Sequence, residues 1–587
     1  MSSYAPPPFE NCHGNEEQAL SQELGYGNAG ETSIVDARVL PIRAGHPAGF
    51  RRDRTPDVVI RSLPVGDSRL PSWCAACSIK ATIVLLGDGG LCCLSASHEG
   101  GINAMTTLNL ESTAHSRTPT TAPPVRRRHY PGRARGACLA ALIVLQSVGA
   151  ILIAESTARA ATAIPQPSQG QLAAAGLDQY PLAPDSQRVD LVAPSFPDVP
   201  SVTNPLFPVS NLHSVVSNGV VGGKPFRVEV TLLPDTQILE WIAGQRVKVL
   251  VSQYFAYSDG RIEEVAVDLY AQGDDGSVWY LGEEVSDYRD GVVYTTGGTW
   301  RAGKEGPLSM IMPGDPHVGD VHRAENIPGQ SFEELTIDRI GVQVDGPRGP
   351  VQGAIVGREL HQDGTFSEKT FAPGYGEFYT ANDGEVEALA LAVPTDALPG
   401  PAPAALDTLT TGAGAIFDAA LAKQWASVPN TLLAMNTAWA SHRATGAVPL
   451  RLEEPTDLAL QKLTRVARGR NRRATLQRSL DMLLASLDLQ LQFHAVTDVD
   501  ISRFELWCRR VIADAIVRDA ANVSGDIFTL EWIRDRFVHV LDKVDVTRID
   551  TLLRDLRDFS DDQDLKGATA TAAALRTKLA EIGAGVH

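Results

Sequence analysis

A chain of 587 residues, 43% of them apolar, carries enough hydrophobic material for two or three domains with cores of their own. Its formal charge of -18 arises almost wholly in residues 161–400, where 14 Lys and Arg face 33 Asp and Glu, while residues 401–587 carry 23 against 24. Such an acidic stretch repels phosphate backbones and excludes nucleic acid from the expected partners.

Residues 1–104 show neither helical nor strand periodicity over any useful length. They read as a disordered extension, or as one not native to the mature protein. Five of the seven cysteines fall here: Cys12, Cys74, Cys77, Cys92 and Cys93. The Cys74-x-x-Cys77 spacing followed by Cys92-Cys93 has a superficial zinc-site form, but adjacent cysteines fit a knuckle poorly and no zinc site is expected. Residues 105–163 then have the order of an export signal. A Ser/Thr/Pro-rich tract from Met105 runs into Arg126, Arg127, Arg128, Arg133 and Arg135, and an uncharged run from Ala137 to Ala154 follows. Small residues at Ala158-Arg159-Ala160 and Ala161-Thr162-Ala163 supply A-x-A cleavage sites. The expectation is a secreted, periplasmic or cell-envelope protein whose mature chain begins at Ala161 or Ile164. A signal-anchored membrane protein is the alternative, since the 18-residue run, interrupted by Gln146, Ser147 and Gly149, lies at the short limit for spanning a bilayer. Only Cys508 follows the signal, so the mature domains stand on hydrophobic burial without an internal disulfide.

Seven prolines in residues 164–203 read as a linker without a packed core. From 204 to 393 the period is two, as in Phe226-Arg227-Val228-Glu229-Val230, and Asp-Gly pairs at 259, 275, 290, 363 and 383 separate the runs. This predicts an antiparallel meander that closes into a barrel or curves strongly to hide its edges. Trp241, Trp279, Tyr280, Trp300, Phe371 and Phe378 are its expected core aromatics. Pro394, Pro399, Pro401 and Pro403 mark a second linker, 394–405, before an all-helical region, 406–587. There Phe504, Trp507, Cys508, Val511, Ile512 and Ala515 keep helical spacing behind an expected N-cap at Asp500. Breaks near Gly469-Arg470-Asn471, Asn522-Val523-Ser524 and Ser560-Asp561-Asp562 predict a bundle of roughly six to eight helices. The fold class is thus α+β and multidomain, an antiparallel β meander followed by a helical bundle.

Several motifs in 204–385 resemble a domain of uncharacterised secreted bacterial proteins: Asn204-Pro205-Leu206-Phe207-Pro208, Tyr270-Ala271-Gln272 with Val278-Trp279-Tyr280-x-Gly282-Glu283, Gly298-x-Trp300-x-Ala302-Gly303, and Ile311-Met312-Pro313-x-x-Pro316-x-x-Gly319-Asp320. The helical part resembles the C-terminal segments of such proteins. The resemblance implies a secreted β-rich domain and no activity. This chain departs from that pattern at Ser210–His213 and at His322, where an aromatic is usual.

Asp315, His317, Asp320, His322 and Glu325 form the one cluster whose chemistry suits zinc or copper, with His317, Asp320 and His322 as candidate ligands. Solvated loop charges are the simpler account. Glu531, Asp535 and His539 recur every four residues, yet lie opposite the stripe of Leu530, Ile533, Phe537 and Val540 and so face water. Cys508 reads as a core residue. The region after the signal lacks G-x-S-x-G, H-E-x-x-H, G-x-x-x-x-G-K and G-x-G-x-x-G, and it offers no catalytic residue and no cofactor site. The expected function is therefore that of an exported binding or interaction protein with a small molecule or protein as partner. A secreted enzyme whose site leaves no local motif, and a metal-handling envelope protein, are the alternatives.

Overall fold

The computed structural model describes residues 80–84, 93–97, 162–396 and 400–585, within two compact units, 1–146 and 147–587. In the first unit the described residues form one antiparallel pair, Lys80–Val84 with Cys93–Ser97. The arginines and apolar run of the expected export signal lie outside the described residues, as do Cys12, Cys74, Cys77 and Cys92. Among the described residues no helix is long and apolar enough to cross a membrane.

In the second unit the period-two stretches become fourteen strands of one antiparallel sheet. They are β1 (Ser214–Val221), β2 (Lys224–Ile242), β3 (Gln245–Ser258), β4 (Arg261–Gln272), β5 (Val278–Arg289), β6 (Val292–Thr295), β7 (Trp300–Arg301) and β8 (Ser309–Met312) in the first half. The second half supplies β9 (Val321–Ile327), β10 (Ser331–Gly346), β11 (Gly349–His361), β12 (Phe366–Ala372), β13 (Gly376–Asn382) and β14 (Glu385–Ala392). Asp259-Gly260, Asp290-Gly291 and Asp383-Gly384 each hold both residues at positive φ, the conformation a two-residue hairpin turn demands.

Spatial order runs β6-β5-β4-β3-β2-β1-β14-β13-β12-β11-β10-β9, with β7 and β8 also paired to β5. The first and last strands pair in the middle of the sheet, Ala390 opposite Ser217. Its free ends therefore fall halfway along the sequence, on either side of residues 313–320. The sheet curls until these ends meet, but no ladder joins β8 to β9 and the ring is not closed. A side chain spans the gap instead: Nε2 of His322 on β9 lies 3.0 Å from the carbonyl oxygen of Ile311 on β8.

The proline-rich segment 164–203, expected to be an unpacked linker, is packed onto the sheet. Ile164, Leu172, Leu177, Ala193 and Val202 are buried. Leu172 and Leu177 cover Phe332, Val189 donates its N–H to the Val321 carbonyl along the free edge of β9, and Asp190 accepts from the Arg323 N–H. The segment covers an exposed sheet edge, which its composition alone does not reveal.

Eight helices follow: α1 (Ala404–Leu421), α2 (Val428–Arg443), α3 (Leu450–Arg468), α4 (Arg472–Gln490), α5 (Val496–Ile516), α6 (Ala520–Phe537), α7 (Lys543–Asp561) and α8 (Leu565–Gly585). Asn471 caps α4 through its side chain. Two boundaries differ from expectation. Asp500 is not an N-cap but sits inside α5, fully buried. Asn522-Val523-Ser524 lies within α6, whose cap is Asp519, so the break falls at Val517–Asp519.

Sheet and bundle share a core in which Phe255, Tyr257, Ile262 and Val265 pack with Leu480, Phe504, Ile512 and Phe537. Tyr257 stacks on Trp507 with ring centroids 5.4 Å apart. Charges seal the same contact. Glu229 accepts from Arg227 (2.8 Å) and from Arg536 (2.8 Å), Arg227 also pairs with Asp488, and Arg503 reaches Asp500 at 3.1 Å.

Candidate functional site

The alternation of β4 turns Glu264, Ala266, Asp268 and Tyr270 toward the inside of the curled sheet, where they line a cavity of about 200 Å³. Strands from both halves complete it: Glu283 from β5, Glu325 from β9, Glu333 from β10, Glu359 from β11, Lys369 from β12 and Glu377 from β13. Seven carboxyl side chains thus share one enclosure with a single ammonium. Two further lobes adjoin it. One, about 130 Å³, shares Tyr254, Asp268, Tyr270 and Glu377 and is otherwise largely apolar, with Val215, Val228, Val230 and Leu232 in its wall. The other, about 430 Å³, shares Tyr254, Glu333, Lys369 and Glu377 and runs out to Gln330 and Asp363, which are exposed.

Burial raises most of these acids. Asp268 is pushed up to about 7 by loss of water, against the opposing effect of hydrogen bonds from Tyr280 and Tyr270. Glu264 is likewise pushed up to about 7, by burial and then by the charges of Asp287 and Asp268. Glu283 and Glu325 are raised further, first by burial, and Glu283 then by the Glu325 carboxyl that hydrogen-bonds to it. Two carboxyls in contact hold a proton between them, because two buried like charges repel strongly. Trp300 donates its indole N–H to Glu325 at 3.2 Å. The Tyr280 hydroxyl lies 2.8 Å from Asp268 Oδ1 and 3.2 Å from Glu283 Oε2. Glu333 behaves oppositely: burial works against its charge, but Lys369 and His361 hold it low.

Aromatic rings make the rest of the wall. Phe207 meets Tyr270 edge-on at 5.2 Å, Tyr270 stacks on Tyr280 at 5.0 Å, and Tyr280 meets Trp300 at 5.4 Å. Phe207 comes from the Asn-Pro-Leu-Phe-Pro motif, which Asn204 anchors by donating to the carbonyls of Gly276 (2.9 Å) and Pro313 (3.1 Å). That motif thus sets one wall of the cavity.

Of the predicted metal ligands, His317 and Asp320 lie side by side, ring Nδ1 3.7 Å from a carboxylate oxygen, but His322 does not join them. His317 is exposed in the loop between the sheet's ends, where its N–H donates to Asp320 at 2.8 Å and Asp315 lies 3.8 Å from its ring. His322 is fully buried and lines the cavity. A carbonyl only accepts, so its bond to Ile311 requires the proton on Nε2 and leaves Nδ1 as an acceptor. Nδ1 has no partner among the described residues, and burial holds the ring neutral by lowering its pKa to about 4. Glu325 faces the cavity, away from the loop cluster to which the sequence reading assigned it.

On α6, Glu531 pairs with Arg557 and Asp535 with Arg534, while His539 lies beyond the helix in a 3-10 turn. Val540, expected in the buried stripe, is exposed. Cys508 is buried. The one metal-compatible group among the described residues is different: donor atoms of Glu333, Glu359 and His361 lie within 4.8 Å of one another in the outer part of the cavity system. Lys369 already stands there, 2.8 Å from Glu359. Sequence reasoning missed the cavity acids because a carboxylate that alternates with apolar neighbours along a strand has the pattern of a solvent face. The only legible signal was Asp268 between Val267 and Leu269 in a run otherwise apolar enough to be buried on both faces.

No protein-family model matches this chain, and neither a curated protein nor a solved structure matches it significantly.

Proposed function

We propose that this protein is an exported binding protein that holds a small molecule inside the curled sheet. The observation that carries the reading is the cavity inside the curled sheet with its unspent polar groups, above all the buried His322 Nδ1 without a partner among the described residues. Buried acceptors are normally satisfied, so an open one in a roomy polar cavity marks a place for water or ligand. A concave space, aromatic walls and a few convergent polar groups are the ordinary attributes of ligand sites. Export is supported by the arginine-rich and apolar order of residues 126–163 and by the single cysteine that follows it. The resemblance of the 204–385 motifs to secreted bacterial proteins points the same way.

A second reading, metal handling, is favoured by the mutual approach of Glu333, Glu359 and His361. Against it stands the Lys369 ammonium, which already neutralises Glu359. Native mass spectrometry of the chain recovered from cells separates the two. The expected result is a small organic adduct on the protein that disappears in Ala324→Phe, a substitution that fills the cavity. A protein without an adduct, or an adduct kept by the filled variant, overturns the binding reading, and a metal-sized mass lost on His361→Ala supports the second.

A further inference from the structure

We infer that the cavity takes an organic cation: a compact primary or secondary amine, bound as its ammonium with the nitrogen near Asp268 and Glu283 and its carbon skeleton against Tyr270 and Tyr280. The inference rests on the binding reading above and names the chemistry of its ligand.

The polarity of the lining sets the sign. Of the ionisable groups around the inner cavity, seven are carboxyls and one is an ammonium. That ammonium, Lys369, is committed to Glu359 at 2.8 Å, which leaves the Asp268, Glu283 and Glu325 side without any cation of its own. The open hydrogen-bonding capacity is of one kind as well. His322 Nδ1 can only accept, since Nε2 is spent on Ile311, and carboxylate oxygens only accept. The Tyr280 hydroxyl and the Trp300 N–H, the donors nearest this side, are turned onto Asp268, Glu283 and Glu325. A site with acceptors to spare and its donors engaged fits a ligand that donates, and an ammonium brings two or three N–H groups with compensating charge. An anion would find its only cation, Lys369, already paired with Glu359 and would add charge beside the carboxyls.

The walls and the volume narrow the class. Tyr270 and Tyr280 stack at 5.0 Å, with Phe207 and Phe371 also lining the cavity. Aromatic faces attract cations and cover an apolar skeleton equally well. A dry cavity of about 150 Å³ is known to hold benzene, so about 200 Å³ admits a ring or chain with one short polar arm. Lys369 is an internal precedent, a primary ammonium accommodated in the same acidic enclosure.

The test compares three probes of one shape and different charge on the full chain at pH 8: benzylamine, benzyl alcohol and benzoate, followed by isothermal titration calorimetry. Benzylamine is expected to bind about tenfold or more tighter than the alcohol, and benzoate not at all. Heats measured in two buffers of different ionisation enthalpy are expected to reveal proton release, as the cation replaces protons held among the carboxyls. Asp268→Asn is expected to weaken the amine about tenfold and leave the alcohol unchanged. Alcohol or benzoate binding as tightly as the amine overturns the cation inference and leaves the cavity reading standing. Binding of none of the three, with no adduct on the protein from cells, overturns both.

Discussion

At the scale of single residues, the unusual feature is how many acids the interior holds near neutrality by burial and by one another's charge. Asp268 illustrates the consequence. Its folded pKa is raised from an ordinary 3.8 to about 7, so the folded state binds its proton more tightly than the unfolded chain does. Its carboxyl is therefore harmless below the ordinary value, costs stability as pH climbs from about 4 to about 7, and adds no further cost above that. Glu264, also near 7, has the same sign. We expect thermal stability to fall between pH 5 and pH 8. Asp268→Asn, which keeps an acceptor for Tyr280, should unfold at higher temperature than the parent at pH 8, and its stability gain there should exceed its gain at pH 5 by about 2–3 kcal/mol. Melting curves at the two pH values check this, and an equal effect at both would refute it. These residues stand in plain view in the sequence, but nothing local marks them. Glu263 and Glu264 are neighbours of one type, yet the first is exposed and the second faces the cavity.

At the scale of elements, one turn and one ion cluster make separate predictions. Gly303, in the Gly-x-Trp-x-Ala-Gly motif, sits at φ +81°, and a Cβ there would stand 2.4 Å from the carbonyl oxygen of Trp241. Gly303→Ala meets both a disfavoured conformation and a backbone atom that cannot step aside. A loss of about 2 kcal/mol or more is expected in urea unfolding. Arg536 on α6 pairs with Glu229 of β2 and donates to Gln253 of β3 at 2.6 Å, all of them buried. Arg536→Met removes one charge and leaves its partners behind, which should cost about 3–5 kcal/mol. Double substitution with Glu229→Gln should recover part of that loss, and failure to recover any would show that the pair does not act as a unit. Strands, Asp-Gly hairpins and the leucine stripes of the helices were all legible, because each depends on residues within a few positions. The cap at Asp500 was misread for the opposite reason. An acidic residue ahead of an apolar stripe has the form of an N-cap, whereas here it answers Arg503 and Arg536 inside the core.

For the whole molecule, sheet and bundle behave as one body. Prolines near 394–403 suggest a hinge, but Tyr257 on Trp507, Tyr288 accepting from Trp532 at 2.7 Å, and Arg261 against Asp514 and Asp526 tie the two together. Calorimetry should therefore record a single main unfolding transition for residues 162–585. Residues 204–393 expressed alone should be poorly soluble, since Phe255, Ile262 and Val265 would lose their cover. Two well-separated transitions, or a soluble and cooperative isolated sheet, would contradict this. Period, turn residues and cysteine count determined by themselves an antiparallel meander, a helical bundle and cores built without an internal disulfide downstream of the apolar run, because each follows from local backbone and burial preferences. Only the tertiary structure decided that the first and last strands pair, that the ends meet unjoined beside His322, and that the acids of alternate positions face inward rather than out. A strand's period separates its two faces but does not say which of them water reaches; that depends on which distant strands and helices close over it.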